Sequence, residues 1–296
     1  MLRGVGLVVA ALASVLVFAG AGVGATEPSL IVFPATPESG GATQLFAIQP
    51  DGQGLTQLTT GSFSAIYPAF SPGGQRIAFS RFGVGIFTMN ADGSKLKRLT
   101  KGTRDAYPTW SPNGTKIAFV RPIGSAWRVH IVNATGGKPV LLKNAPAAGR
   151  PTWSKVGLLI PTSADLLKID TQTGRVLKYF DADLDPIWGL NNVTIDKKVT
   201  MLTYVGTRDP IPGDQECGDG PCQRFGLFSE RLTGKKHRKA QLLVKDTGPA
   251  AFAPNGGRLA YVAGGALMLR AVGGSGTATI KPVGPVPVTT GPPAWR

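Results

Sequence analysis

Two stretches of the sequence are nearly the same: YPAFSPGGQRIAFSR at residues 67–81 and YPTWSPNGTKIAFVR at residues 107–121. The second begins 40 residues after the first, and a period of that length is typical of propeller blades and of solenoid units. In SPGG and SPNG the proline presets φ, while Gly and Asn accept the backbone conformations that close a turn. Each stretch therefore predicts a strand, a tight turn and a second strand.

The proline-plus-aromatic anchor recurs along the chain, and each copy except the C-terminal one is followed by segments typical of three more short strands. These segments lack the period of a helix. Four strands per repeat predict an antiparallel meander, which buries both its faces only when several such sheets stack around an axis. The anchors end at Phe70, Trp110, Trp153, Trp188, Phe252 and Trp295.

The N-terminal repeat is out of phase. SLIVFPA, which starts at Ser29, matches a second strand, and PPAW at residues 292–295 supplies the missing first strand. The two chain ends would then share one blade and leave no open sheet edge. The sequence thus predicts an all-β fold, a closed six-bladed β-propeller of four-stranded antiparallel blades. An open β-solenoid does not need its last residues to complete its first repeat.

Residues 1–25 are typical of a secretory signal peptide. Arg3 is the one charge before Glu27, and an apolar run with a Gly/Ala-rich end lies between them. We place the cleavage after Ala25, so that residues 26–296 form the propeller. An uncleaved membrane anchor is the alternative, because an uncharged run of this length is able to span a bilayer. Both readings put the propeller in the periplasm, in the cell envelope or outside the cell.

The chain has two cysteines, Cys217 and Cys222, in the one long predicted loop at residues 206–226. Export brings them into an oxidising compartment, so we predict that they form a disulfide. Two cysteines without a nearby histidine make a poor zinc site. We expect no cofactor.

The SPxG turn, the IAF strand, the DG turn and the RLT ending resemble the WD-like repeats of TolB-type β-propellers. The resemblance covers nearly all of residues 26–296 and is clearest over 67–121. It implies the fold and specifies the function poorly. TolB carries an α/β domain before its propeller, and prolyl-oligopeptidase-type enzymes combine a propeller with a hydrolase domain. This sequence has room for neither, so a Tol–Pal role and a peptidase role are not expected.

Groups for catalysis are scarce. His130 lies inside a predicted strand and His237 in a basic segment, and neither a GxSxG nor an HExxH motif is present. DADLD at residues 181–185 begins like a calcium loop but lacks the Gly and the distal Glu. Solvated loop acids are the simpler interpretation, and calcium remains the alternative. A binding role is favoured over a small-molecule or metal-dependent enzyme of the lactonase or lyase kind with its site at the axial mouth.

One face of the predicted propeller collects the loops between second and third strands and the crossings to the next blade. We call it the long-loop face, since loop 206–226 belongs to it. A long loop in a compact repeat array is more often functional than idle. Five arginines there are candidate ligands for carboxylate or phosphate groups, although they would also serve simply to solvate loop ends. They are Arg81, Arg104, Arg121, Arg150 and Arg208.

The net charge is +15, which favours acidic partners. We expect a protein or an anionic polymer of the cell envelope as the partner of a monomeric chain. Nucleic acid is disfavoured, because the chain is exported and shows no aromatic–basic binding motif. A membrane contact is expected only through an uncleaved signal segment.

Overall fold

The computed structural model describes residues 29–37, 40–145, 149–162, 166–180, 187–195, 201–208, 224–231, 241–245, 250–263, 266–271, 277–279 and 293–296. The predicted signal peptide, the predicted disulfide and the DADLD segment lie outside these residues. Within the described ranges, no helix is long and apolar enough to cross a bilayer.

Strands in the described residues form six four-stranded antiparallel sheets, numbered here in chain order. Sheet 1 contains Ile31–Ala35 (β1), Gln44–Ile48 (β2), Thr56–Gln57 (β3) and the C-terminal Ala294–Trp295 (β24). Sheet 2 contains Ala65–Phe70 (β4), Arg76–Arg81 (β5), Gly85–Asn90 (β6) and Lys97–Arg98 (β7). Sheet 3 contains Ala106–Trp110 (β8), Lys116–Ile123 (β9), Ala126–Asn133 (β10) and Val140–Leu141 (β11).

The other three sheets follow in the same way. Sheet 4 contains Thr152–Ser154 (β12), Gly157–Pro161 (β13), Leu166–Ile169 (β14) and Val176–Phe180 (β15). Sheet 5 contains Ile187–Ile195 (β16), Met201–Arg208 (β17), Arg224–Arg231 (β18) and Gln241–Lys245 (β19). Sheet 6 contains Ala250–Phe252 (β20), Arg258–Ala263 (β21), Ala266–Ala271 (β22) and Thr277–Thr279 (β23).

The predicted meander and its turns are confirmed. In the SPGG and SPNG turns, the amide of Gly74 donates to the carbonyl of Ser71 and that of Gly114 to the carbonyl of Ser111, each at 2.8 Å. Both glycines have positive φ, 73° and 70°, as the turn chemistry predicts. The outermost strands β3, β7 and β11 are shorter than the sequence suggests, with two residues each, whereas the outermost strands β15 and β19 have five.

The two chain ends meet in sheet 1. Ile31 and Val32 pair with Trp295 and Ala294, and the backbones of Leu30 and Arg296 exchange hydrogen bonds of 3.1 and 3.0 Å. The C-terminal PPAW segment therefore provides the strand that the N-terminal repeat lacks.

Alternate side chains of the second strands enter two different cores, because neighbouring residues of a strand point to opposite faces. In β5, Ile77 and Phe79 pack with Val32 and other residues of sheet 1, whereas Ala78 packs with Phe119 and other residues of sheet 3. Sheet 2 is thus buried on both faces. The fold is an all-β propeller of four-stranded antiparallel blades.

The first strands of neighbouring sheets contact one another and line the axial cavities described below. These contacts run from β24 to β4, β8, β12, β16 and β20 in turn, and β20 also contacts β24.

Candidate functional site

The long-loop face is continuous across sheets 1 to 3. The amide of Phe82, in the loop between β5 and β6, donates to the carbonyl of Ser64 at 2.9 Å, and the next amide, of Gly83, donates to the carbonyl of Thr103 at 3.0 Å. Ser64 and Thr103 belong to the crossings before and after sheet 2. One short loop therefore holds two crossings together by backbone hydrogen bonds.

Two phenylalanines are exposed on this surface. Phe63, in the crossing before sheet 2, is 49% exposed, and Phe82 is 66% exposed. A Cβ atom added to Gly83 would lie 3.7 Å from the Phe63 ring, so that ring lies against the same loop that carries Phe82. Large apolar side chains that face water next to each other are typical of an interaction surface.

Arg81 and Arg104 bring positive charge to the same loop and crossing, because Arg81 directly precedes Phe82 and Arg104 directly follows Thr103, which bonds to that loop. Arg81 donates from Nη2 to the carbonyl of Thr60 at 2.8 Å, and its guanidinium lies 5.3 Å from the centre of the Phe87 ring. The exposed Arg104 has its guanidinium 5.5 Å from the centre of the Trp127 ring. An aromatic ring under a guanidinium orients it and leaves its outer edge available for an acidic group. We define the basic aromatic patch as Phe63, Phe82, Arg81 and Arg104.

Arg121 has a different environment, because it forms a two-pronged ion pair with Asp105. The distances are 2.6 Å from Nε to Oδ1 and 2.8 Å from Nη2 to Oδ2. The Asp105 side chain is fully buried and also accepts a hydrogen bond from the hydroxyl of Thr100. The hydrogen bond to Asp105 raises the pKa of Arg121. Its charge is thus largely balanced within the protein, and we assign it to fixing the crossing that holds Asp105.

The remaining two arginines lie on other elements. Arg208 is the last residue of β17, where its backbone pairs with Arg224, and the position of its side chain is outside the described part of the structure. Arg150 lies two residues before the first strand of sheet 4 and lines a cavity on the axis.

This inner axial cavity has a volume of about 210 Å³ and is lined by the first strands of several sheets. Pro68 and Ala69 of β4, the segment 250–254 and the C-terminal Pro293–Trp295 form its walls around Arg150. Among the described residues, no side chain or carbonyl accepts a hydrogen bond from Arg150. Its burial lowers the pKa of the guanidinium to about 10.

Tyr67 and Tyr107 occupy the position equivalent to Arg150, directly before the anchor proline. Their ring centroids lie 4.2 Å apart and their hydroxyl oxygens 3.4 Å apart. Both have positive φ, 57° and 56°, which bulky residues adopt only under strain. Burial raises the pKa of Tyr67 well above its usual range, while the charge of Arg150 acts in the opposite direction.

A larger axial cavity of about 750 Å³ opens on the face opposite the long loops. The turn Ser71–Gln75, Arg258 and Arg296 lie around it. It shares Ala253, Pro254 and Trp295 with the inner cavity, so the two are neighbours along the axis.

The sequence did not single out Phe63, Phe82, Tyr67 or Tyr107. The phenylalanines are large apolar residues in short loops where polar turn residues are usual, and that departure is a usable signal. The tyrosines are recognisable only once the residue before each anchor proline is compared across repeats. In the described residues, no group of three or more His, Cys, Asp or Glu is placed to hold a metal ion.

Residues 26–157 match the family model for the TolB β-propeller domain. This part of the chain is therefore similar to TolB β-propeller domains. No curated protein matches the sequence.

Solved structures share the fold of this propeller at low sequence identity. TolB from Acinetobacter baumannii is 16% identical with a TM-score of 0.68, over 90% of this chain and 66% of TolB, just under two thirds of its length. A candidate TolB from Agrobacterium tumefaciens is 13% identical with a TM-score of 0.56, over 86% of this chain and 88% of that one. An oligogalacturonate lyase in complex with manganese is 10% identical with a TM-score of 0.52, over 80% and 70%. Such identities show a shared fold and carry no function across.

Proposed function

We propose that this TolB-like propeller is an exported, non-enzymatic scaffold that binds an acidic protein through its long-loop face. The observation that carries the proposal is the basic aromatic patch. Phe63 and Phe82 are exposed where a crossing lies against the loop of sheet 2, with Arg81 at the start of that loop and Arg104 on the crossing bonded to its other side. Aromatic residues and arginine dominate the energetically important positions of protein interfaces. A carbohydrate or phosphate polymer would use the charge of this patch but not its apolar rings.

The charge of the chain supports an acidic partner. A net charge of +15 attracts acidic surfaces over a distance and speeds their encounter. Arg81 and Arg104 add short-range contacts, and Arg208 extends the proposed surface to sheet 5. Arg121 fixes the crossing that holds Asp105. Arg150 lines the inner axial cavity and is not part of this surface.

Export rests on residues 1–25, which we propose to be a cleaved signal peptide, with residues 26–296 as one propeller. We further propose that the six sheets are the blades of one closed ring. The pairing of β24 with β1 supports closure, as does the shared core in which Ile31 and Phe33 pack with Ala260 and Val262 of sheet 6.

The test is affinity capture from an envelope extract of the producing cells, with residues 26–296 as bait. One variant carries Phe63→Ser and Phe82→Ser, and a second carries Arg81→Ala and Arg104→Ala. The matched controls are Val140→Ser, which replaces a 62% exposed apolar residue of outer strand β11, and Arg175→Ala, which replaces an exposed arginine in the turn before β15. The four variants carry six substitutions, all at exposed positions except the half-buried Arg81 at the end of β5, and they are expected to preserve the fold.

We expect one acidic protein to be retained by the wild type and both controls, and to be lost by both patch variants. A partner that the patch variants retain as well as the wild type would overturn the proposed surface. Capture of a polysaccharide or phosphate polymer that only the arginine variant loses would move the function to polymer binding. If no macromolecule is captured by any bait, the scaffold role fails and a small-molecule role at the axis is favoured.

A further inference from the structure

The guanidinium of Arg150 lies in a cavity without an acidic neighbour. The cavity walls formed by Pro68, Ala69, the segment 250–254 and Pro293–Trp295 contain no carboxylate, and no described residue accepts a hydrogen bond from Arg150. Arg150 is half-buried, and a charge that is partly withdrawn from water without a partner carries a free-energy cost. The fold therefore keeps a cation at the axis that its own described residues do not neutralise.

The residues beside Arg150 are held in a strained arrangement. Tyr67 and Tyr107 both have positive φ, and the register of their strands shifts at the same place, between Ile66 and Ala69 in sheet 2 and between Ala106 and Thr109 in sheet 3. The strain brings two phenols together near the guanidinium. Strained backbone that the surroundings hold in place is often found where a protein binds a ligand.

The phenol pair leaves a hydrogen-bond donor available. One hydroxyl of the pair donates to the other over 3.4 Å, and the hydroxyl hydrogen of the second has no acceptor among the described residues. The site thus combines one guanidinium with one unused phenol hydroxyl hydrogen. Both groups are available as hydrogen-bond donors.

We propose that the inner axial cavity binds a single carboxylate group, with Arg150 as its cation and the Tyr67–Tyr107 pair beside it. One positive charge balances a carboxylate, whereas a phosphate dianion would leave an excess negative charge in the cavity. The planar fork of a guanidinium also matches the two oxygens of a carboxylate. The volume of about 210 Å³ admits a small organic acid or the tip of an acidic side chain.

This site is independent of the basic aromatic patch, which contains none of its residues. The proposed scaffold role and the carboxylate site therefore succeed or fail separately. A variant at Arg150 is expected to retain the captured protein as well as the wild type does, and that capture is still expected to require Phe63 and Phe82.

The experiment measures binding of two probes to residues 26–296 by calorimetric titration. The first is propionate, a free acid with one carboxylate, and the second is a capped tripeptide, acetyl-Ala-Glu-Ala-amide, with its glutamine analogue as the neutral control. The protein variants are Arg150→Gln, Arg150→Lys and Tyr67→Phe, and Arg175→Gln is the matched control for loss of an exposed arginine. Propionate binding alone identifies a small-acid site, and tripeptide binding identifies a site for an acidic side chain.

We expect at least one acidic probe to bind the wild type and Arg175→Gln saturably, and the glutamine peptide not to bind. Loss of a charged hydrogen-bond partner predicts that Arg150→Gln weakens binding about tenfold to a hundredfold, with a smaller loss for Arg150→Lys, which keeps the charge but not the fork. Equal affinity of the wild type and Arg150→Gln overturns the proposal, as does absence of binding by both acids.

Misfolding of the Arg150 variants is checked in the same samples by the melting temperature without ligand. Removal of an unpartnered, half-buried charge is expected to leave that temperature unchanged or to raise it. A lower melting temperature in Arg150→Gln would show a structural role for the guanidinium and contradict the assignment.

Discussion

Tyr67 and Tyr107, which hold the same position in two repeats 40 residues apart, lie with their ring centroids 4.2 Å apart and their planes tilted by 45°. The likeness of the two stretches thus has a structural consequence beyond the repeat of a strand. It places two identical side chains with positive φ next to each other and next to Arg150, the residue that the following repeat carries at this position.

The strain at Tyr67 predicts an unusual order of stability between two truncations. Tyr67→Gly and Tyr67→Ala remove the same ring, but only glycine adopts a φ of 57° without steric cost. The glycine variant is therefore expected to be more stable than the alanine variant, by up to about 1 kcal/mol after its larger loss of chain entropy. Chemical denaturation of both variants measures the difference. A more stable alanine variant would show that the position is not strained.

The ion pair between Arg121 and Asp105 predicts a stability role. Arg121→Met leaves the fully buried carboxylate of Asp105 without its partner, which is expected to cost about 3 kcal/mol of the free energy of unfolding. Arg175→Met, at an exposed site, is the control and should change it by less than about 0.5 kcal/mol. The measurement is urea denaturation, and addition of Asp105→Asn should restore part of the loss. If Arg121→Met lowers the free energy of unfolding no more than the control does, the proposed stabilising role of Arg121 is wrong.

His130 predicts a dependence of stability on pH. Its burial lowers its pKa below the usual value of 6.5, and its ring stacks on Phe119 with the centroids 5.6 Å apart. Below pH 6.5, His130 therefore binds a proton in the unfolded chain more readily than in the folded chain. The contribution of neutral His130 is complete above pH 6.5 and is lost as the pH falls toward the lowered pKa.

The check is the free energy of unfolding against pH for the wild type and for His130→Gln. The difference between the two curves isolates this histidine from the carboxylates, which titrate at lower pH in both proteins. We expect the wild type to lose stability relative to the variant as the pH falls below 6.5. Parallel curves through that range would contradict the assignment.

The contacts of Trp295 allow a prediction of how far protein stability depends on the C-terminal strand of sheet 1. Its indole nitrogen donates to Ser29 Oγ at 2.6 Å, and its ring packs against the core between sheets 1 and 6. Trp295→Phe keeps most of the packing and is expected to cost about 1 kcal/mol for the lost hydrogen bond. Trp295→Ala also loses the packing and is expected to cost about 3 kcal/mol. Thermal unfolding ranks them, and an alanine variant as stable as the wild type would contradict closure of the ring by β24.

The strands and turns were predictable because they depend on local chemistry that each repeat restates. Pro72 and Gly74 close their turn through preferences that a short window of sequence contains, and the out-of-phase start at Ser29 indicated that the chain ends pair. The lengths of outer strands such as Lys97–Arg98 were not predictable, because they depend on how far a strand with one neighbour remains paired.

The candidate site was predictable only in part. Arg81, Arg104 and Arg121 follow from the repeat, but the partner of Arg121 is Asp105, 16 residues away in a crossing, and that pairing depends on how two sheets stack. For the same reason, charge alone did not separate a neutralised arginine from Arg150. Phe63 and Phe82 become neighbours only when the loop of sheet 2 bonds to the crossing before it.

Site-specific photo-cross-linking from the basic aromatic patch tests the central claim most directly. A photoreactive phenylalanine analogue replaces Phe82 in one strain and Val140, on an exposed outer strand, in a control strain, and intact producing cells are irradiated. We predict one cross-linked adduct with an acidic protein from position 82, weaker when Arg81 and Arg104 are replaced by alanine, and none from position 140. An adduct from position 140 and none from position 82 would contradict binding through the long-loop face.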